Sequence, residues 1–264
     1  HLYGVQGVVS SNLTVPTNKM KIYRLLKFIY IVLHVIFGFI FILFFPFLNQ
    51  DFRFKIIQLW STWFLKILKI KLTVNDISTN IENKNKYFFA ANHISWVDIV
   101  ILNSIKPSSF VAKSSIRKWP LLGFMIAMSN TIFIDRVSKK SLKLAFSKVS
   151  SILNRSSVVI FPEGKATLGK SVNVFHSNFF QIPINKKIYV NPISIRYKKD
   201  GNFTDKVAYV GDDKLLNSLL KIINLNGFEA VINLHDQIPT NDKNRKELAF
   251  ETYSVVKECI EQEG

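Results

Sequence analysis

A chain of 264 residues that is 48% hydrophobic and only 20% charged, with 23 phenylalanines, suits one substantial core and leaves apolar surface to spare, so part of it is expected to face lipid. The formal net charge of +17 implies affinity for anionic surfaces, unless it reflects only a Lys- and Asn-rich composition; the basic residues are scattered and form no zinc-finger, basic-zipper or ribonucleoprotein pattern, which argues against nucleic acid as a partner. A single cysteine, Cys259, excludes an intramolecular disulfide framework and a cysteine-based metal cluster.

Residues 1–18 carry no Lys, Arg, Asp or Glu and show no sustained period, and are expected to be a leader outside the fold. From Phe28 to Leu48 the chain has no charge and one histidine, a run that as a helix would extend roughly 30 Å, enough to cross a bilayer core. "FRFKIIQLWSTWFLKILKI" follows, with lysines interrupting large apolar residues, and reads as an amphipathic helix at an interface. Basic residues flank the apolar run on both sides. A hairpin dipping into one leaflet keeps both clusters on one side, whereas a full span would expose one of them, so residues 19–70 are read as a membrane-associated two-helix hairpin.

Residues 71–264 read as one α/β domain with a mixed, largely parallel central sheet flanked by helices. Strand-like runs at 86–91, 108–113, 131–135, 157–161, 188–196 and 228–234 alternate with helix-like stretches at 96–105, 119–129, 138–154, 213–224 and 243–261.

Where the first of these strands ends, the chain reads "FAANHISWVD". Ser95 is a suitable cap for a helix beginning at Trp96, with Asp98 as the acidic partner of a capping box. Placed in the turn outside that helix, His93 would meet the Asp98 carboxylate through one ring nitrogen and keep the other free as a general base. Spacing alone leaves the cap and the catalytic pair both open. In "VVIFPEGKATLG" a β-branched strand runs into a turn in which Pro162 ends pairing, Gly164 permits close backbone approach and Glu163 stands at the strand's carboxyl end, where open α/β sheets bind ligands. Lys113 and Arg136, at the ends of two further strands, suit a phosphate or another anionic headgroup.

Taken together, "NHISWVD", "FIDR" ending at Arg136, "FPEG" and "NPISIRY" with Pro192 resemble, in order, the four blocks of the glycerolipid acyltransferase family typified by bacterial 1-acyl-glycerol-3-phosphate acyltransferases. The resemblance covers roughly residues 86–236, and the two N-terminal segments are similar to that family's membrane-embedded helices. It implies acyl transfer from acyl-CoA or acyl carrier protein to a lysolipid hydroxyl at the inner membrane, with the catalytic domain facing the cytoplasm and no metal or cofactor beyond the donor. His93 and Asp98 would be catalytic. Lys113, Arg136, Glu163, Gly164, Lys165 and Pro192 would form or shape the acceptor site. Where the family often has Thr-Arg after the third block, this chain has Lys165 and Ala166, and "FPEGKATLGKSVNVFHSNFF" is similar to the branch containing lyso-ornithine-lipid acyltransferases. The acceptor expected first is 1-acyl-glycerol-3-phosphate, with a lyso-ornithine lipid as the alternative. The rival classes are a non-catalytic lipid-binding protein and a hydrolase, the latter disfavoured by the lack of a Gly-x-Ser-x-Gly elbow.

Overall fold

The computed structural model describes residues 18–76, 86–135 and 138–262. The chain opens with α1 (Asn18–Leu43), a single 3-10 turn at Phe45–Phe47, and α2 (Gln50–Leu68). Pro46 breaks the first helix, and Asn49 restarts the chain by accepting the Phe52 N–H at 2.9 Å as an N-cap. Lys27 reaching the Leu68 carbonyl at 3.2 Å and His34 reaching the Trp60 carbonyl at 3.1 Å pair early residues of α1 with late ones of α2, so the two helices form an antiparallel hairpin. At 26 residues α1 is about 39 Å long, beyond the ~30 Å of a bilayer core. Its outward face is apolar, with Leu26, Leu33 and Phe37 each more than half exposed.

In α2 one apolar stripe faces the domain, with Phe64, Leu65 and Leu68 buried in the main core, while Phe52, Leu59 and Trp63 are each more than half exposed. The helix stops at Lys69, whose left-handed backbone (φ 59°) turns the chain straight into β1 (Ile70–Asp76), a strand missing from the periodicity reading. Besides two further 3-10 helices at Ser114–Lys118 and Asn178–Phe180, the remaining elements are β2 (Phe88–Ala91), α3 (Val97–Ile105), β3 (Ser109–Lys113), α4 (Leu122–Met128), β4 (Ile132–Ile134), α5 (Lys139–Ile152), β5 (Val158–Ile160), α6 (Gln181–Lys186), β6 (Val190–Lys199), β7 (Asn202–Phe203), α7 (Leu215–Leu225), β8 (Phe228–Leu234) and α8 (Arg245–Gln262).

The sheet order is β1-β8-β6-β2-β5-β3-β4, with β7 paired to β6. From β6 to β4 every neighbouring pair is parallel; β8 runs antiparallel to β6 and parallel to β1. The expected mixed, largely parallel sheet is therefore present. Strand alternation divides the core in two. Phe89, Ala91, Ile193, Ile195 and Tyr197 face the side packed by α2, α3 and α7, whereas Phe88, Ala90, Val158 and Ile160 face the side packed by α5, α6 and α8. Because β2, β3, β4 and β5 are parallel, the chain leaves all four at one edge of the sheet. The histidine block, Lys113 and the Phe-Pro-Glu-Gly turn all emerge at that edge.

Candidate active site

At the end of β2 the backbone ladder is prolonged by a side chain. The Asn92 amide donates to the Ile195 carbonyl at 3.0 Å and accepts the Ile195 N–H at 2.7 Å, standing in for a strand residue while the main chain turns away. His93 sits in that turn. Its N–H donates to Glu163 Oε1 at 2.8 Å and its carbonyl accepts the Thr167 N–H at 2.9 Å, so both main-chain groups are held by the loop after β5. Pinned at the backbone, the imidazole is fixed again at its edge and its face. Nδ1 lies 2.8 Å from Asp98 Oδ2, and the ring stacks on Phe161 with centroids 4.2 Å apart and planes 19° from parallel. Facing an acceptor-only carboxylate, Nδ1 carries the hydrogen, which leaves Nε2 as the basic nitrogen.

Asp98 is fully buried. Oδ2 also accepts the N–H groups of Ile94 at 2.7 Å and Ser95 at 3.0 Å, and Oδ1 accepts the Tyr197 hydroxyl at 2.5 Å. The expected capping box is thus half made. Asp98 reaches back to the Ser95 N–H, but the helix begins at Val97, and the buried Ser95 hydroxyl has no hydrogen-bond partner among the described residues. The physical reason is that the Asp98 N–H bonds the Ser95 carbonyl at 3.1 Å, closing a backbone turn in place of the side-chain cap.

Glu163 is 4% exposed, with Oε1 taken by the His93 N–H and Oε2 by the Asn173 N–H at 2.7 Å. Burial pushes its carboxyl above the ordinary value, against the pull of those two N–H donors. Each of its oxygens holds main chain, which makes it a brace for the histidine loop. Gly164 has φ 79°, the left-handed region, and its N–H closes the turn onto the Phe161 carbonyl at 3.1 Å. Gly169 also needs its missing side chain, since a Cβ there would come within 2.7 Å of Ile94 Cδ1.

Of the residues singled out from the sequence, His93, Asp98, Glu163 and Gly164 therefore lie in one constellation. Lys113 ends β3 and Lys165 follows the turn, both exposed at the same sheet edge. Pro192 is buried opposite Ala90 inside the sheet, its carbonyl accepts the His235 N–H at 3.2 Å, and it borders an apolar groove beside Ile193 and His235. Arg136 lies outside the described residues. Sequence reasoning passed over Asn92, Phe161 and Tyr197. All three sit within the matched blocks, and Tyr197, the last residue of "NPISIRY", shares the alternating face of Ile193 and Ile195. An apolar groove of about 210 Å³ on the α3 side of the sheet is lined by Phe89, Leu102, Val159, Ile193, Leu234 and His235, without His93 or Asp98. Among the described residues no group of three His, Cys, Asp or Glu side chains is placed to hold a metal.

A model of the acyltransferase family matches residues 73–196. The lyso-ornithine lipid O-acyltransferase of Pseudomonas aeruginosa is 30% identical over 201 residues, covering 76% of this chain and 78% of that protein. The chain belongs to the acyltransferase family. A 1-acyl-sn-glycerol-3-phosphate acyltransferase of Neisseria meningitidis is 34% identical to this acyltransferase over 146 residues, 54% of this chain and 57% of the relative's length. The fold matches that of the 1-acyl-sn-glycerophosphate (LPA) acyltransferase PlsC from Thermotoga maritima, with a TM-score of 0.65 at 24% identity over 92% of this chain and 96% of that one. The family resemblance and the α/β fold expected from the four sequence blocks are both borne out.

Proposed function

We propose that this acyltransferase moves a fatty acyl group from a thioester donor, acyl-CoA or acyl carrier protein, to the hydroxyl of a lysolipid held in the membrane. The observation that carries the reading is the hydrogen bond from His93 Nδ1 to the buried Asp98, which leaves Nε2 free to accept a proton at the carboxyl edge of the sheet. Nε2 takes the acceptor's hydroxyl proton as that oxygen attacks the thioester carbonyl. The tetrahedral intermediate then expels the thiolate, which recovers the proton from the imidazolium. The products are a new ester and a free thiol, with no acyl-enzyme and no cofactor beyond the donor. Asp98 holds the imidazole in its tautomer and stabilises its cation.

The acceptor assigned first is 1-acyl-glycerol-3-phosphate, its phosphate met by Lys113, Lys165 and Arg136. A lyso-ornithine lipid is the second reading, favoured by Ala166 in place of an arginine and by the length over which the Pseudomonas relative matches. The outward apolar face of α1 supports attachment of the hairpin to the bilayer, and the reading places the protein at the inner membrane with the site toward the cytoplasm. The test is purified full-length protein with acyl-CoA or acyl carrier protein and a panel of lysolipids, products being identified by mass spectrometry. Conversion of one lysolipid to its diacyl form, lost in His93→Ala, is expected. No new diacyl lipid, or full activity in His93→Ala, overturns the reading, and release of free fatty acid alone marks a hydrolase.

A further inference from the structure

A carboxylate with no exposure to water stays ionised only where hydrogen bonds replace its lost hydration. At Asp98 the supply is divided. His93 Nδ1 and the N–H groups of Ile94 and Ser95 all converge on Oδ2, and the hydroxyl of Tyr197 alone, among the described residues, serves Oδ1. Those three Oδ2 donors lie on the histidine loop itself; Tyr197 comes from β6, 99 residues away in sequence. It too is fully buried, its ring set edge-on against Phe228 at 5.4 Å, so the hydroxyl has no water to turn to. Burial first, and then the Asp98 charge, push the phenol well above its ordinary value, which keeps it a neutral donor. The other titratable groups facing Asp98 are His93 and, from the turn after β5, Glu163.

We propose that Tyr197 is a positioning residue for the acyl transfer, locking the Asp98 carboxylate so that Oδ2 stays aimed at His93 Nδ1. The proposal rests on the acyl-transfer reading above. With three donors on one oxygen and none on the other, the carboxylate would be free to rotate or to draw water into the core, and the imidazole would lose its fixed tautomer. The substrates do not touch Tyr197, so the loss falls on turnover and leaves binding alone.

The experiment compares wild type, Tyr197→Phe, Asp98→Asn and the double variant in steady-state assays on the full chain. Tyr197→Phe is expected to lower kcat by about 10-fold or more with KM values within about twofold, and to cost nothing further in the Asp98→Asn background, as groups acting in one chain do. An unchanged kcat, or costs that multiply, overturns the proposal. A readout independent of turnover is the low-field Nδ1 proton of His93 in protein with 15N-labelled histidine, assigned by its loss in His93→Ala. It is expected to move or broaden in Tyr197→Phe, and an unaltered signal overturns the proposal. If wild type acylates no lysolipid, the functional reading falls and this signal still decides the role of Tyr197. If Tyr197→Phe does not fold, the relationship is read from the other side: the 13Cζ resonance of Tyr197 is expected to shift in Asp98→Asn, and no shift overturns it.

Discussion

Glu163 Oε1 accepts the backbone N–H of His93 at 2.8 Å, across 70 residues of sequence, while its other oxygen holds Asn173. A glutamine at this position accepts one of those N–H groups and turns its own NH2 toward the other, leaving a buried donor unpaired at a cost of about 1–3 kcal/mol. Glu163→Gln is therefore expected to melt lower than wild type and to lose kcat through a displaced histidine loop. Because burial raises the Glu163 carboxyl above 4.5, its contribution to stability is full below that pH and is lost as pH rises through the raised folded value. The gap in Tm between wild type and Glu163→Gln should be widest near pH 4.5 and narrow toward neutrality. Thermal melts across pH 4.5 to 8 check this, and a gap that widens with pH refutes it.

The face of the imidazole is covered by Phe161 at 4.2 Å, and in the proposed mechanism that imidazole takes the acceptor's proton and becomes a cation during the transfer. An aromatic face toward that cation is worth about 0.5–2 kcal/mol, so Phe161→Leu should lower kcat roughly 2- to 30-fold. Phe161→Tyr, which keeps the face, should stay near wild type. KM for the acceptor should hold in both. Equal kcat in the leucine and wild-type proteins would remove the stacking from the mechanism.

Lys165 follows the Phe-Pro-Glu-Gly turn and is exposed, so its attraction for an anionic headgroup is modest and screened by salt. Lys165→Ala should raise KM for an anionic acceptor by about 2- to 5-fold at low ionic strength with kcat unaltered. The difference should shrink as salt is added. A fall in kcat at constant KM would instead give the lysine a part in chemistry.

Most of the sheet was legible because its strands are short, β-branched and bounded by polar turns, and "VVI" or "VNPISIRY" leave little else to be. β1 escaped because "IKLTVND" is a half-buried edge strand whose polar residues mask the alternation, and because it follows α2 with a single left-handed lysine between them. α6 escaped because Pro183 sits inside it, near enough to the helix start that no hydrogen bond is lost. In the site, local spacing proposed the His93–Asp98 pair but assigned Ser95 a cap it does not make. Long-range partners are a different matter. Nothing in the stretch around residue 98 points to residue 197, and only the register of β6 beside β2 brings the two together.

The hairpin carries its own close contact. At Gly38 of α1 a Cβ would fall 2.3 Å from the Trp60 indole nitrogen and 2.9 Å from the neighbouring ring carbon, and that indole donates to the His34 carbonyl at 3.1 Å. Trp60 stacks on Phe64 at 5.2 Å, and Phe64 meets Trp96 edge-on at 6.0 Å, so the packing of α1 on α2 runs through aromatic rings to the residue before α3. Gly38→Ala forces the helices apart or the indole out of its place, an overpacking that typically costs about 1–3 kcal/mol. The variant should melt lower than wild type in detergent. Its cost should fall when Trp60→Phe is added, because the smaller ring vacates the space the methyl needs, although Trp60→Phe alone loses the bond to His34. Melting temperatures of the two single variants and the double variant form the cycle, and strictly additive losses would show that the two positions do not press on each other.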